Sequence, residues 1–309
     1  MRYRNGLAAA MIVCAGCGSA SDLVIGSQAP VEVEAGFPGP SCGDAGKWGK
    51  LDGSDQVGEA ADGTIGPIGD GGCSNPALCA VLKAALIHRY SFNGTGDGAT
   101  DSVGSAHGTV VNAELRGDGT LFLAGGPTDE YVDLPNGIVR PLVNATFEAW
   151  VTWYGCGGWE RIFDFGDSGN PENVRGYAST TLYLTPQSMN GRDVMFGAFK
   201  RANQDALYET RASSNQPLAT GTMSHVALVV DDTNNLMSLY RNGVFEGSVA
   251  FGDSLSLLND INNWLGRSQY VVDPSFSGIL HEFRIYDAAL SAPAIQTSFL
   301  GGPDASFLD

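Results

Sequence analysis

Short runs of alternating apolar and polar residues, each closed by a glycine, asparagine or aspartate turn, fill the chain from residue 88 to residue 286. Alternation with a period of two is typical of strands that bury one face. Arg241-Asn242-Gly243 adds a hairpin signal, because Asn-Gly readily adopts the positive φ angles of a type I′ turn. Turns rather than helices separate the runs, and no internal repeat is evident, so the pattern predicts an antiparallel β-sandwich and disfavours propellers and solenoids. The predicted strands cover residues 88–92, 120–123, 131–134, 146–153, 161–165, 181–184, 194–199, 206–211, 225–230, 237–240, 247–251, 263–265 and 278–286.

Helix is predicted only at the two ends of this strand region. A short helix is expected over residues 76–86, and a helical turn over residues 292–297. Between them the chain is expected to consist of strands and turns, which defines an all-β fold class with two packed sheets.

The charge balance excludes one large class of partner. Charged residues make up 17% of the chain and the formal net charge is −17, whereas an average soluble protein has about 25% charged residues. Nucleic-acid affinity depends on clusters of lysine and arginine, and the sequence contains none. Few charges, 42 glycines and frequent Asp-Gly turns favour an all-β protein that works outside the cytoplasm.

The first residues are typical of an export signal. Arg2 and Arg4 form a positive start, and residues 7–15 form an apolar stretch shorter than the ~20 residues that span a bilayer. The segment Val13-Cys14-Ala15-Gly16-Cys17 resembles the lipobox of bacterial lipoproteins, although Cys14 stands where an aliphatic residue is usual. The resemblance implies that Cys17 carries a lipid, which would be the protein's contact with a membrane. Cleavage nearby without a lipid and an uncleaved segment are the alternatives. The predicted location is the cell envelope or outer membrane, or secretion.

Residues 18–80 are predicted to form a flexible tether, because the stretch is rich in glycine and aspartate and lacks a persistent period. A small disulfide-closed subdomain is the alternative. The four cysteines beyond the lipobox allow three pairings in an oxidising compartment. Cys73 and Cys79 are the favoured pair, since a short loop containing Asn75-Pro76 separates them; Cys156 then pairs with Cys42 or stays reduced. The predicted division is a signal over 1–17, the tether, and a β domain over 81–303.

Several short motifs follow one another in a fixed order through the predicted strands. They are Tyr90-Ser91-Phe92-Asn93-Gly94, Asp101-Ser102-Val103-Gly104, Tyr131-Val132-Asp133-Leu134-Pro135, Thr146-Phe147-Glu148-Ala149-Trp150-Val151, Ser224-His225-Val226-Ala227-Leu228-Val229, Leu239-Tyr240-Arg241-Asn242-Gly243, Leu265-Gly266-Arg267-Ser268 and Gly278-Ile279-Leu280-His281-Glu282-Phe283-Arg284-Ile285-Tyr286. Each motif is weak alone. Their order and spacing over residues 87–300 resemble the laminin-G-like, concanavalin A-like jelly-roll family.

The resemblance implies a two-sheet jelly roll that serves as a binding module for glycans or proteins. It also implies a candidate structural calcium ion at the rim of the sandwich, with Asn93, Asp101 and Glu282 as the matching ligand positions. Calcium takes about six to eight oxygen ligands, and neutral imidazole is a poor substitute for one of them. His281 stands where many members have an acid, so this chain departs from the family there. The alternative is that Asn93 and Asp101 cap turns through their own side chains.

The catalytic patterns of the wider superfamily are absent from the sequence. A retaining glycosidase needs two carboxyl groups about 5 Å apart, and the Glu-x-Asp-x-x-Glu pattern that can supply them does not occur. The most similar stretch of sequence, Glu130-Tyr131-Val132-Asp133, places its two acidic side chains on opposite faces of a strand. Neither a Gly-x-Ser-x-Gly elbow nor a His-Glu-x-x-His zinc motif occurs. We therefore predict no catalytic residues and no enzymatic activity.

Two tryptophans are the candidate ligand-binding residues. Trp159 and Trp264 flank predicted turns, where an exposed indole can stack on a sugar ring; packing within the fold is the alternative. Trp150 and Trp153 lie on one predicted strand and are expected to pack inside.

The predicted function is a surface-tethered, non-catalytic module that binds a carbohydrate or an extracellular protein, with calcium as a candidate cofactor. A structural envelope protein without its own ligand is the alternative, and a glycoside hydrolase is the third. Surface aromatics along a rim groove would favour the binding module, and a flat polar surface the structural protein.

Overall fold

A computed structural model describes residues 72–189, 193–203, 205 and 209–309. Cys17, Cys42 and most of the predicted tether lie outside these ranges. Within them, none of the helices has the length and apolar character needed to cross a bilayer.

Antiparallel strands are the main regular secondary structure of the described chain, with a helix before and after them. The helices are α1 (Pro76–Ala85) and α2 (Ala292–Gly301), with 3-10 turns at Leu255–Leu257 and Ser306–Leu308. The strands are β1 (Leu86–Tyr90), β2 (Thr95–Gly96), β3 (Gly98–Ala99), β4 (Gly108–Val111), β5 (Leu115–Arg116), β6 (Leu121–Leu123), β7 (Tyr131–Leu134), β8 (Asn144–Trp153), β9 (Phe163–Asp167), β10 (Thr180–Thr185), β11 (Phe196–Lys200), β12 (Thr210–Ser213), β13 (Met223–Asp231), β14 (Leu236–Arg241), β15 (Val244–Ala250), β16 (Asn262–Leu265) and β17 (Gly278–Tyr286).

Two large sheets form the sandwich. The seven-stranded sheet has the order β1-β17-β8-β13-β14-β15, with β6 also paired to β17. The eight-stranded sheet has the order β12-β11-β10-β9-β16-β7-β4-β3, and β2 pairs with β5 separately. Neighbours in both sheets are often distant in sequence, as in a jelly roll. The predicted fold class is confirmed.

Alternating side chains from the two sheets meet in one apolar core. Phe147 on β8 and Phe283 on β17 face Phe163 and Phe165 on β9, and the rings of Phe147 and Phe163 lie 5.4 Å apart. All four are at most 2% exposed, so each contributes about 1.5–3 kcal/mol of burial free energy. Because the odd positions of β9 fill the core, Asp164 between them points to the outer face of the eight-stranded sheet.

The Asn-Gly turn forms where the sequence predicts it. Asn242 and Gly243 have φ angles of 49° and 75°, and Arg241 pairs with Val244 across the hairpin of β14 and β15. Both positive values are those of a type I′ turn, which matches the right-handed twist of the strands it joins.

The outer face of the seven-stranded sheet is covered by the two helices and the C-terminal tail. Helix α1 begins after Asn75, whose side chain accepts hydrogen bonds from the first-turn backbone N–H groups. Cys73 and Cys79 form a disulfide, the pairing that the sequence favours. The helix begins before residue 81, where the sequence places the start of the domain, and the tail stays packed through Leu308.

The shortest strands escape sequence-based prediction. Strands β2, β3 and β5 have two residues each, which is too few for alternation to stand out. The four-residue strand β4 was not predicted either. The two 3-10 turns were not predicted either, because a single turn has no period of its own.

Candidate functional site

The outer face of the eight-stranded sheet carries the candidate site. Two segments, residues 168–179 and 266–277, meet over this face. The backbone N–H of Gly176 donates to the carbonyl of Gln269 at 2.9 Å, and the N–H of Val271 donates to the carbonyl of Gly176 at 2.8 Å. These backbone hydrogen bonds therefore fix the position of one segment against the other.

A buried polar network fastens the second segment to the sheet. Asp164, fully buried, accepts a hydrogen bond from the backbone N–H of Gln269 at 2.9 Å. Arg161 donates to Asp273 at 2.8 Å and lies 3.4 Å from Asp164, with its guanidinium over the ring of Tyr183. Burial raises the pKa of Asp164 to about 7, although Arg161 opposes that rise. The buried side chains of Asp164 and Arg161 therefore hold residues 266–277 against the sheet.

A shallow pocket opens beside this network, and we call it the arginine pocket. Its volume is about 370 Å³. It combines two guanidinium groups and one carboxylate with apolar walls, and it is lined by Gly126, Pro127, Asp129, Val174, Arg175, Arg267 and Val271. The pocket is open to solvent, and its polar groups lie beside apolar walls.

Two arginines of the pocket converge on one aspartate. Arg267 donates from Nε and Nη2 to the two oxygens of Asp129, at 2.9 and 3.0 Å. Arg175 approaches the same carboxylate at 2.7 Å. Burial lowers the pKa of Arg175, Asp129 counteracts this, and the like charge of Arg267 adds to the lowering. The pocket thus holds two positive groups against one negative group in direct contact.

Exposed apolar residues border the arginine pocket. Tyr177 and Val272 are each 78% exposed, and Val271 and Val174 are about half exposed. Since Gly176 and Val271 are hydrogen-bonded, these side chains lie on neighbouring stretches of backbone. Grouped exposed apolar residues beside a polar pocket are typical of a surface that binds a ligand.

Trp264 does not form the exposed platform that the sequence suggests. It is 0% exposed, and side chains from other segments contact its ring. Its Nε1 donates to the Asn173 side chain at 3.1 Å, its ring meets Tyr131 edge-on, and the guanidinium of Arg267 lies 4.2 Å from its centroid. Trp264 is a structural residue that supports one of the pocket arginines.

Trp159 is half-buried and also packs within the fold. Its ring meets Phe196 edge-on at 5.8 Å, and the guanidinium groups of Arg161 and Arg211 each lie 5.9 Å from it. It lies outside the set of residues that line the arginine pocket. The structure therefore does not bring Trp159 and Trp264 together into one binding surface.

The predicted calcium ligands are engaged with protein groups instead. Glu282 is 0% exposed and accepts hydrogen bonds from Arg89 Nε at 3.0 Å, from Arg284 Nε, and from the backbone N–H of Asp304 at 2.7 Å. Asn93 donates to the side chain of Asp304 at 3.0 Å. A cation at Glu282 would lie against two arginines, which it repels.

Asp101 is also bonded to protein groups. Its carboxylate accepts hydrogen bonds from the backbone N–H groups of Arg89, Val103, Gly104 and Ala106, and it contacts His88 at 2.8 Å. Burial opposes ionisation, but these donors outweigh it and hold the pKa of Asp101 below its usual range. It caps a turn, as the alternative interpretation holds, and the described residues contain no group of three or more His, Cys, Asp or Glu arranged to hold a metal.

Two carboxyl groups with raised pKa values, those of Glu160 and Asp164, are buried and do not contact solvent. Burial raises the pKa of Glu160 to about 7, as it does for Asp164. Glu160 accepts hydrogen bonds from Trp153 Nε1 and from the N–H of Ser277, and both carboxyl groups are 0% exposed. A general acid must come within hydrogen-bond distance of its substrate, which neither group can do here.

Sequence reasoning missed the pocket residues. Arg267 lies within a motif quoted for the family resemblance, but nothing in that motif marks it as a ligand contact. Arg175 and Asp129 lie in turns without any motif. Arg175 reaches Arg267 because residues 168–179 and 266–277 meet over the sheet, and Asp129 reaches it from the turn before β7. A single sequence carries no local signal of such a meeting.

The two packed antiparallel sheets are those of a concanavalin A-like sandwich. The chain belongs to the concanavalin A-like lectin/glucanases superfamily, whose laminin G-type family matches residues 125–296. This confirms the family resemblance seen in the sequence motifs. No curated protein sequence matches the chain significantly.

Solved structures share the sandwich at low sequence identity. Domain 4 of AbnA, a GH43 extracellular arabinanase from Geobacillus stearothermophilus solved with arabinotriose, is 20% identical with a TM-score of 0.51, over 69% of this chain and 97% of that domain. A sialidase from Trypanosoma rangeli, in complex with 2,3-difluorosialic acid, is 18% identical with a TM-score of 0.53. That match covers 72% of this chain and 34% of the sialidase, so the chain spans about a third of that protein. At these identities the likeness establishes the fold.

Proposed function

We propose that the protein is a non-catalytic module that binds carbohydrate, displayed outside the cytoplasm on an N-terminal lipid. The observation that carries the proposal is the arginine pocket, which lies on a lectin-like sandwich and pairs fixed polar side chains with apolar walls. That the arabinanase domain was solved with arabinotriose adds support by analogy.

The chemistry of the pocket suits a sugar. A sugar ring presents hydroxyl groups at its edge and C–H groups on its faces, so it needs both hydrogen-bonding and apolar contacts. Arg175 and Arg267 supply charged donors, while Val174, Val271 and Pro127 supply apolar surface. Both arginines are mostly buried, with side chains 14% and 7% exposed, so little ordering entropy remains to be lost on binding.

The non-catalytic part of the proposal rests on the carboxyl groups. A glycosidase needs one carboxyl group kept protonated and a second that reaches the sugar. The groups with pKa values near 7, Glu160 and Asp164, are sealed beneath the surface. The exposed carboxylate of the pocket, Asp129, is neutralised by two arginines.

Display at the cell surface is proposed from the export signal and the lipobox-like Cys17. A pocket about 370 Å³ in volume on the side of a sandwich needs distance from the membrane to meet a polymeric ligand. Residues between the lipidated cysteine and α1 would provide that distance.

A glycan array tests the proposal. The full-length protein is expected to bind a subset of glycans, and Arg175→Gln is expected to weaken that binding at least tenfold. Arg140→Gln is the matched control, because Arg140 is exposed and bonds the carbonyl of Ser256 away from the pocket. Incubation with the bound glycans should release no new reducing ends.

Three results contradict the proposal. Binding to no glycan would favour the structural envelope protein, and binding confined to extracellular proteins would favour a protein ligand. Release of reducing ends by the wild type would establish a hydrolase.

A further inference from the structure

Asp129 is the solvent-facing member of the arginine pocket. Its side chain is 41% exposed, whereas those of Arg175 and Arg267 are 14% and 7% exposed. A ligand that approaches from solvent therefore reaches the place of this carboxylate first, with the two guanidinium groups beneath it.

The two arginines are held in place by groups other than Asp129. Arg267 donates to the backbone carbonyl of Asn173 at 3.0 Å, and its guanidinium lies over the rings of Tyr131 and Trp264 at 4.4 and 4.2 Å. These contacts fix the plane of the guanidinium, and stacking on aromatic faces is one of the roles for which lysine cannot replace arginine.

Arg175 is held in the same way. It donates to the backbone carbonyl of Asp273 at 3.0 Å and to the Ser275 hydroxyl at 2.5 Å. Its Nε is buried and has no hydrogen-bond partner. Both donors would thus keep their positions if the Asp129 carboxylate were replaced by another.

Asp129 itself lies in a turn that depends little on its charge. Its φ angle is 52°, in the left-handed region that aspartate and asparagine tolerate. Its carbonyl accepts a hydrogen bond from the Asn112 side chain at 3.0 Å. An asparagine at this position keeps the backbone conformation and the size of the side chain while removing the negative charge.

From this arrangement we infer that the arginine pocket is a receptor for a carboxylate-bearing saccharide, and that Asp129 occupies the position of the ligand's carboxylate until one displaces it. The inference rests on the proposed carbohydrate-binding function and names the class of sugar. Two guanidinium groups on one carboxylate match the planar, two-oxygen geometry of a sugar acid. Val174, Val271 and Pro127 lie where the sugar ring would pack.

The test compares acidic sugars with their uncharged counterparts on the full-length protein. The probes are oligogalacturonate, hyaluronan fragments and 3′-sialyllactose, each beside its methyl ester, which keeps the ring and removes the charge. At least one acid is expected to bind, with its ester at least tenfold weaker. Equal binding of acid and ester overturns the inference, and so does binding of sulfated or neutral glycans alone, while both results leave the proposed carbohydrate function in place. Failure to bind any glycan overturns both.

Variants test separately the two arginines that would bind the ligand's carboxylate and the Asp129 carboxylate that it would displace. Arg267→Gln is expected to weaken the acid at least tenfold, and Arg267→Lys, which keeps the charge but removes the fork, should weaken it nearly as much. Asp129→Asn is expected to bind the same acid several-fold more tightly, because no internal carboxylate competes. Arg140→Gln should match the wild type. Melting temperatures identify any variant that fails to fold. If Arg267→Gln fails to fold, the binding affinity of Arg267→Lys is measured in its place. Weaker binding by a folded Asp129→Asn protein contradicts the displacement.

Discussion

Replacing Glu282 by glutamine distinguishes an internal ion-pair residue from a calcium ligand. Glu282 and Arg284 are both 0% exposed, and Arg89 is 4% exposed. Removing one partner of such a buried pair costs roughly 3–5 kcal/mol, because the remaining charge stays buried without compensation. Glutamine keeps one acceptor oxygen, so we expect a loss of about 2–4 kcal/mol. At roughly 2–4 °C per kcal/mol for a domain of this size, the melting temperature should fall by about 5–15 °C.

The assay is thermal unfolding followed by circular dichroism, with chelator and with millimolar calcium. The loss for Glu282→Gln should be the same in both conditions, since arginines rather than an ion neutralise the carboxylate. Glu114→Gln is the control, because Glu114 is exposed and should change stability little. A wild-type midpoint that rises with calcium, together with a Glu282→Gln protein that matches the wild type in chelator, would refute this reasoning. Calcium binding elsewhere on the protein stays a prediction that the same titration tests.

Three further predictions concern other parts of the chain. Burial raises the pKa of Glu160 from 4.5 to about 7 in the folded protein, so stability should fall by about 3 kcal/mol as pH rises between those values. Urea unfolding of Glu160→Gln should show a flatter pH profile, and parallel profiles would contradict the assignment. Trp264→Ala should lose about 3–5 kcal/mol of stability as a buried aromatic residue; lost glycan binding at an unchanged melting temperature would instead make it a ligand contact. Cys17→Ala should move the protein from the detergent phase to the aqueous phase in a detergent partition experiment, and equal partition of both forms would remove the lipid anchor.

The local features of the fold followed from short stretches of sequence. The Asn242-Gly243 turn needs two positive φ angles, and those two residues adopt them at low cost in any context. Helix α1 begins at Asn75-Pro76, where a side-chain cap and a fixed φ angle coincide. Alternation predicted strands such as β9 over residues 161–165, because a strand's period of two does not depend on its partners.

The candidate site followed from sequence only in part. Trp264 was predicted to be an exposed ligand-binding residue, but it is buried. The sequence around it does not show that Asn173 and Arg267, from other parts of the chain, contact its ring. Glu282 matched a family position, yet its arginine partners Arg89 and Arg284 decide that it is an ion-pair residue, and Arg89 lies on another strand.

The sequence by itself thus determined most of the longer strands, the Asn242-Gly243 turn and the positions of the two helices, since each depends on residues within a few positions of one another. The ordered motifs also determined the family. Tertiary structure alone decided the arginine pocket. Asp129, Arg175 and Arg267 come from three separate turns, and their meeting depends on which strands pair and which segments cross the sheet. Strand pairing is set by the burial of the whole core at once, so no single stretch of the chain encodes the place where those three side chains converge.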